Sequence, residues 1–159
     1  MKVKILHAGL YLLLIIPSLV GYMAESQCPG DKSGSVVKFD PEPSTFYYAL
    51  PYIYASLGIA WFLAVRAPHE FQLWCMLFFT LSVIALGSWI YWYKCRHDKE
   101  KSLLVVVALI TKLLLLFAIA PVAASAWLSP VISWMVFALI LMCVEMQAVS
   151  DLKHKHNVS

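Results

Sequence analysis

The sequence predicts an all-α protein, a polytopic membrane helix bundle with five transmembrane helices in a single domain over residues 1–159. Hydrophobic residues make up 62% of the chain and charged residues only 13%. Soluble domains average about 45–50% apolar residues and about 25% charged residues. No water-soluble core of this length could cover so much apolar surface. The apolar residues also gather in five runs of about 20 residues, the length that crosses a bilayer. The lipid bilayer is therefore the first expected partner.

The first apolar run covers residues 5–23 and follows Lys2 and Lys4. The small residues that follow this run would fit a signal peptidase site, and cleavage there would leave four transmembrane helices. However, the apolar stretch has about 19 residues, whereas the core of a signal peptide has about 7–15. We therefore expect an uncleaved helix, followed by a polar loop over residues 24–45 whose prolines and glycines favour turns.

The second and third runs cover residues 46–65 and 71–93 and are predicted to form a hairpin. Tyr and Phe gather at the start of the second run, and Trp and Tyr gather at the end of the third, as is typical of membrane interfaces. The short polar turn between the two runs contains Arg66, His69 and Glu70. These three residues are candidate contacts for a partner at the membrane surface.

The fourth and fifth runs cover residues 102–127 and 131–149. A proline removes a backbone donor and clashes with the preceding helical turn. We therefore place the break between these two helices at Leu128, Ser129 and Pro130. The charged segment KCRHDKEK (residues 94–101) precedes the fourth run and is expected to be a solvated loop.

Two signals for the membrane orientation disagree. Lys and Arg are enriched in cytoplasmic loops, and most of them lie on the side of the membrane opposite to the amino terminus. That distribution favours an external amino terminus. The first helix indicates the reverse, since Lys2 and Lys4 precede it and the first helix usually dominates. We favour the cytoplasmic amino terminus, which places residues 94–101 outside.

Two charged residues, Lys112 and Glu145, lie inside the fourth and fifth runs. A charge near the bilayer centre costs about 2.5–3.5 kcal/mol on insertion scales, so it needs a partner or water. If the two helices turn near Leu128, both residues reach a similar depth, and we expect them to pair. Such a pair could relay protons or ions, bind a partner, or only set the register of the helices. Alternatively, Lys112 snorkels to the surface and Glu145 lies near the interface.

No catalytic, metal or cofactor site is indicated. Cys28, Cys75, Cys95 and Cys143 lack the spacing of metal ligands, and no three histidines converge in sequence. Motifs that position nucleophiles or phosphates are absent. Cys28 and Cys95 both fall in loops, and whether they can meet depends on the topology. Scaffolds that depend on disulfides carry denser cysteines, so we do not expect a disulfide framework here. A net charge of +3 is too small for a nucleic-acid-binding surface.

The sequence therefore favours a protein without enzymatic activity. Our first hypothesis is an accessory, assembly or immunity-type protein that binds a protein partner in the membrane. The alternative is a small transporter or channel subunit that forms a homo-oligomer and uses Lys112 and Glu145. We expect a multi-pass protein of the bacterial inner membrane.

Overall fold

A computed structural model of the chain describes residues 2–26, 43–66, 70–96 and 98–158. It confirms the all-α membrane bundle, and these residues contain no strand. Four helices are long and apolar enough to cross a membrane, and the first contains a shorter apolar segment, Tyr11–Ala24. The helices are α1 (Lys2–Ser26), α2 (Pro43–Arg66), α3 (Gln72–Ile90), α4 (Lys99–Ile119) and α5 (Val122–Val158). A π-helical turn, Tyr91–Cys95, continues α3.

The helices α2, α5, α4 and α3 form a ring in which each packs against its neighbours, and α1 packs against both α2 and α3. Trp61 of α2 stacks on Phe79 of α3, with ring centroids 6.1 Å apart. In lipid, helices associate mainly through close packing, because the lipid tails are as apolar as the side chains. The ring is therefore held by side-chain fit more than by hydrophobic burial.

A glycine brings α1 close to α2. A Cβ atom on Gly58 would lie 2.5 Å from the carbonyl oxygen of Leu14, so only glycine permits this approach. Nearby, the rings of Tyr11 and Phe62 stack with centroids 5.7 Å apart. These contacts make α1 an integral part of the bundle.

The break between the last two helices differs from the prediction. It lies at Ala120–Pro121, and α5 continues without interruption through Pro130. Ala120 adopts an extended backbone, with φ −77° and ψ 155°, as expected of a residue that precedes a proline. The placement at Leu128, Ser129 and Pro130 was therefore wrong. Both prolines could end a helix, and local sequence does not say which one does.

A serine stabilises the observed break. Ser125 Oγ donates to the carbonyl of Phe117 at 3.0 Å, and it also lies 3.3 Å from the carbonyl oxygens of Ala120 and Pro121. The backbone N–H of Ser125 donates to Pro121 at 3.0 Å. The last carbonyls of a helix lack intrahelical partners, so a side-chain donor can satisfy them. Ser125 fills that role and makes the short connection tolerable.

Candidate functional site

The carboxylate of Glu145 is the centre of a polar cluster at one end of the bundle. Lys99 Nζ donates to Glu145 Oε2 at 2.8 Å, which is the distance of a charge-assisted hydrogen bond. Tyr93 Oη lies 3.3 Å from each oxygen of the same carboxylate. Glu145 is only 7% exposed, so its charge is stabilised by Lys99 and Tyr93 and hardly by solvent.

Three elements bring these side chains together. Tyr93 lies in the π-helical turn after α3, Lys99 is the first residue of α4, and Glu145 lies about two thirds of the way along α5. A π-helical turn shifts the side chains that follow relative to a regular α-helix. Tyr93 also stacks on Trp89, with ring centroids 6.0 Å apart, which orients its hydroxyl. We call the end of the bundle that carries Cys95, Lys99 and Glu145 the Glu145 end.

The start of α4 is capped at the same end. Asp98 Oδ1 accepts a hydrogen bond from the backbone N–H of Lys101 at 3.0 Å, and Asp98 Oδ2 lies 2.9 Å from Lys101 Nζ. These hydrogen bonds and the nearby ammonium group lower the pKa of the Asp98 carboxyl. Lys101 Nζ also lies 4.6 Å from the ring centroid of Trp92, a cation–π contact. The cap places Lys99 in the first turn, facing α5.

Lys112 and Glu145 do not form the expected pair. Glu145 binds Lys99, and Lys112 lies about 13 residues further along α4, or about 20 Å at 1.5 Å per residue. The same 13 residues correspond to about 140° around the helix axis. Lys112 therefore lies at another depth and on another flank than Lys99. The pairing was wrong because the turn was placed at Pro130 when the helix in fact ends at Ala120.

Lys112 lies beside the buried stripe of α4. That stripe consists of Ser102, Val106, Leu109, Leu113 and Leu116. Lys112 follows Leu109 and precedes Leu113, and its side chain is partly buried. Within the part of the chain that the structure describes, its ammonium group has no salt bridge or hydrogen bond. A cation on a lipid-exposed flank is thus left available to another molecule.

The predicted loop contacts lie at the end of the bundle opposite Glu145. Arg66 ends α2, is exposed, and holds its guanidinium 5.9 Å from the ring centroid of Phe62. Glu70 is exposed in the turn before α3, and His69 lies outside the described residues. Gln72 Nε2 donates to the carbonyl of Val65 at 2.7 Å and so joins the two helices there. The role of these residues as partner contacts stays a prediction.

The cysteines do not all behave as the sequence indicated. Cys75 is buried, and Cys143 is exposed. Cys95 is disulfide-bonded. A disulfide is therefore present, although the sequence did not favour a disulfide framework. Among the described residues, no three His, Cys, Asp or Glu side chains gather in a way that could hold a metal ion.

Comparison with known proteins gives no relative from which a role could be transferred. No model of a known protein family matches the chain, and no curated protein matches it either. Any function must therefore be argued from the bundle and its charged side chains.

Proposed function

We propose that this protein acts without catalysis as an accessory, assembly or immunity-type protein that binds a protein partner inside a membrane through Lys112. The observation that carries the proposal is the position of this lysine: within a transmembrane helix, partly buried, and without an ion pair to any residue of the described ranges. An ionisable residue in a transmembrane segment marks a functional site by default, because its insertion is costly.

The depth of Lys112 supports a protein partner over solvation by water at the surface. The residue lies about 10 Å from the end of α4 at Ile119 and about 20 Å from its start. Side chains in a helix lean toward its amino end, so the Lys112 side chain leans toward the centre of the bilayer. Snorkelling to the nearer surface would work against this direction. A carboxylate on a partner's transmembrane helix would neutralise the Lys112 ammonium group at its own depth in the membrane.

A foreign partner fits better than a second copy of this chain. The acid that α5 could offer to another copy is Glu145, and its carboxylate already binds Lys99. Glu145 also lies near the depth of Lys99, at the start of α4, and so about 20 Å from the depth of Lys112. In a homo-oligomer with parallel subunits, Lys112 would therefore not meet Glu145. The expected partner is a different membrane protein with an Asp or Glu within a transmembrane helix.

The alternative function, a small oligomeric transporter or channel subunit, depended on a Lys112–Glu145 pair. Because Glu145 pairs with Lys99, no contact of the described residues favours that mechanism over the first. The bacterial inner membrane remains our proposed location, since an all-helical bundle is the architecture expected there.

The test is purification of the tagged protein from its native membrane in a mild detergent, followed by the mass and composition of the intact particle. We expect a different membrane protein in a fixed ratio. Lys112→Leu should weaken the affinity for that partner at least about tenfold, which corresponds to about 1.4 kcal/mol of binding free energy. Lys112→Arg should retain the partner. Thr111→Val is the matched control, because Thr111 is exposed on the same turn and its hydroxyl donates only within α4, to Val107 at 2.9 Å.

Two results would contradict the proposal. One is a partner that stays bound in unchanged ratio to the Lys112→Leu variant. The other is a particle that contains only copies of this chain, which would favour the transporter alternative.

A further inference from the structure

Lys112 lies on the flank of α4 that faces α3. Lys101 Nζ lies 4.6 Å from the ring centroid of Trp92, in the turn that continues α3, so the flank of α4 that carries Lys101 faces that helix. Lys112 lies about 11 residues after Lys101, or about three helical turns, and the remaining rotation is only about 20°. The two lysines therefore share this flank, whereas Lys99, which binds α5, lies on another one.

The depth of Lys112 identifies the residue of α3 that lies across from it. The two helices pack against each other, and residues 91–98 lead from the end of α3 to the start of α4. Helices joined in this way run antiparallel. A step of about 11 residues from Lys101 along α4 corresponds to the same step back from Trp92 along α3. Lys112 therefore lies across from Leu81.

An aromatic pair extends this side of α3. Trp74 and Phe78 stack with ring centroids 6.2 Å apart. They precede Leu81 by seven and three positions, a spacing that places all three residues on one face of the helix. Trp74 is exposed, whereas Phe78 is half-buried against the core. The wall that α3 presents across from Lys112 is thus apolar and partly open to the membrane.

The α4 side of the same surface leaves space beside the ammonium group. A helical side chain leans over the turn that precedes it, so Lys112 leans over Ala108, an exposed alanine one turn earlier. A small residue at this place lets the backbone of another helix approach closely. Lys112 forms no ion pair with any residue in the described ranges. We define the α3/α4 groove by Trp74, Phe78, Leu81, Ala108 and Lys112.

We infer that the α3/α4 groove holds a transmembrane helix of the partner protein, and that an Asp or Glu carboxylate of this helix binds Lys112 Nζ. The inference rests on the proposed function, to which it adds the surface and the depth of the contact. Charge complementarity selects this occupant, because lipid tails would leave the ammonium group without a counter-ion at that depth. In a parallel second copy of this chain, the acids Glu100 and Glu145 would lie about 18–20 Å away along the bundle.

Photocross-linking in native membranes locates the helix that lies beside Lys112. Leu115 and Leu114 form a matched pair, since both are leucines of α4 and they are 49% and 52% exposed. Leu115 follows Lys112 by three positions and shares its face, whereas Leu114 follows it by two positions and lies on a different face. Benzoylphenylalanine is introduced at each of the two positions in the tagged protein.

From position 115 we expect an adduct with a different membrane protein, mapped by mass spectrometry to a transmembrane helix that contains Asp or Glu. Position 114 should give little of this adduct. Lys112→Leu should lower the yield from position 115 at least about tenfold, the same loss of affinity expected for the purified particle. Lys112→Glu should lose the adduct too, and a change of the partner's mapped acid to Lys should restore it.

Several results would overturn the inference. They are an adduct with the foreign protein from position 114 but not from position 115, a mapped helix without Asp or Glu, an adduct with a second copy of this chain, and an adduct with lipid alone. A charge exchange that does not restore the adduct would also overturn it.

The failure of the groove and the failure of the proposed function give different results. If the partner binds Lys112 from another side, Lys112→Leu still loses the partner from the purified particle, although position 115 gives no adduct with it. If the proposed function is wrong, the purified particle contains no foreign protein, or it keeps that protein in unchanged ratio in the Lys112→Leu variant.

Discussion

Glu145 on α5 and Lys99 on α4 meet at 2.8 Å although 46 residues separate them in the sequence. The contact joins two neighbouring helices at the end of the bundle where Cys95 forms its disulfide. Glu145 is buried, whereas the side chain of Lys99 is 38% exposed. The pair is therefore asymmetric, because the carboxylate depends on its partner more than the ammonium group does.

This asymmetry predicts that Lys99→Met destabilises the protein more than Glu145→Gln. The first change leaves a buried carboxylate with Tyr93 alone, whereas the second removes the charge and keeps an acceptor for Tyr93. We expect a loss of about 1–3 kcal/mol for Lys99→Met, measured as the free energy of unfolding in mixed micelles. Lys112→Met is the control, and it should not lower stability. Equal losses for Lys99→Met and Lys112→Met would show that the pair with Glu145 is not formed.

Tyr93→Phe tests the second contact of the carboxylate. The phenyl ring keeps the stacking on Trp89, but the hydroxyl donor is lost. We expect a loss of about 1 kcal/mol in the free energy of unfolding. In a double-mutant cycle with Glu145→Gln, the two changes should not add, because they remove parts of one network. Simple additivity would place the Tyr93 hydroxyl outside the network.

Asp98 predicts a pH dependence at the start of α4. Its carboxyl has a pKa below the ordinary value because Lys101 donates to it in the folded state. The stabilisation is present above the pKa of the unfolded chain, and it is lost as the pH falls through the lower, folded pKa. Asp98→Asn should therefore lower the Tm at neutral pH, and the difference from the unmodified protein should vanish in acid. A difference in Tm that does not change with pH would mean that the charge has no role.

Gly58 tests the packing of α1. Gly58→Leu should separate α1 from α2, because even a Cβ atom would lie 2.5 Å from the backbone of Leu14. We expect a loss of about 1–3 kcal/mol, as for other overpacked sites. Ala55→Leu is the matched control, since Ala55 lies on α2 and is exposed. If both variants unfold at the same temperature as the unmodified protein, then α1 does not pack closely against α2.

Composition and run length were enough to predict the class of fold, and four of the five predicted spans are long and apolar enough to cross a membrane in the described residues. In lipid, every backbone N–H and C=O group must be hydrogen-bonded within the protein. An apolar run of about 20 residues is therefore expected to form a helix. The hairpin near Pro68 was also predictable: α2 ends at Arg66 and α3 begins at Gln72, close to the boundaries read from the sequence. These features depend on local sequence and on the bilayer as a solvent.

The tertiary structure decided the register of the last two helices, and with it the site. Pro121 and Pro130 carry the same local signal, and only the packing of α5 on α4 and α2 selects Pro121 as the break. Moving the break from Pro130 to Pro121 shortens α4 by about nine residues and lengthens α5 by about nine, so the register between the two helices changes by about 27 Å at 1.5 Å per residue. This change in register exchanges Lys112 for Lys99 as the partner of Glu145. The sequence determined which charges enter the membrane; three-dimensional packing determined which of them meet, because a pair between helices depends on register as well as on composition.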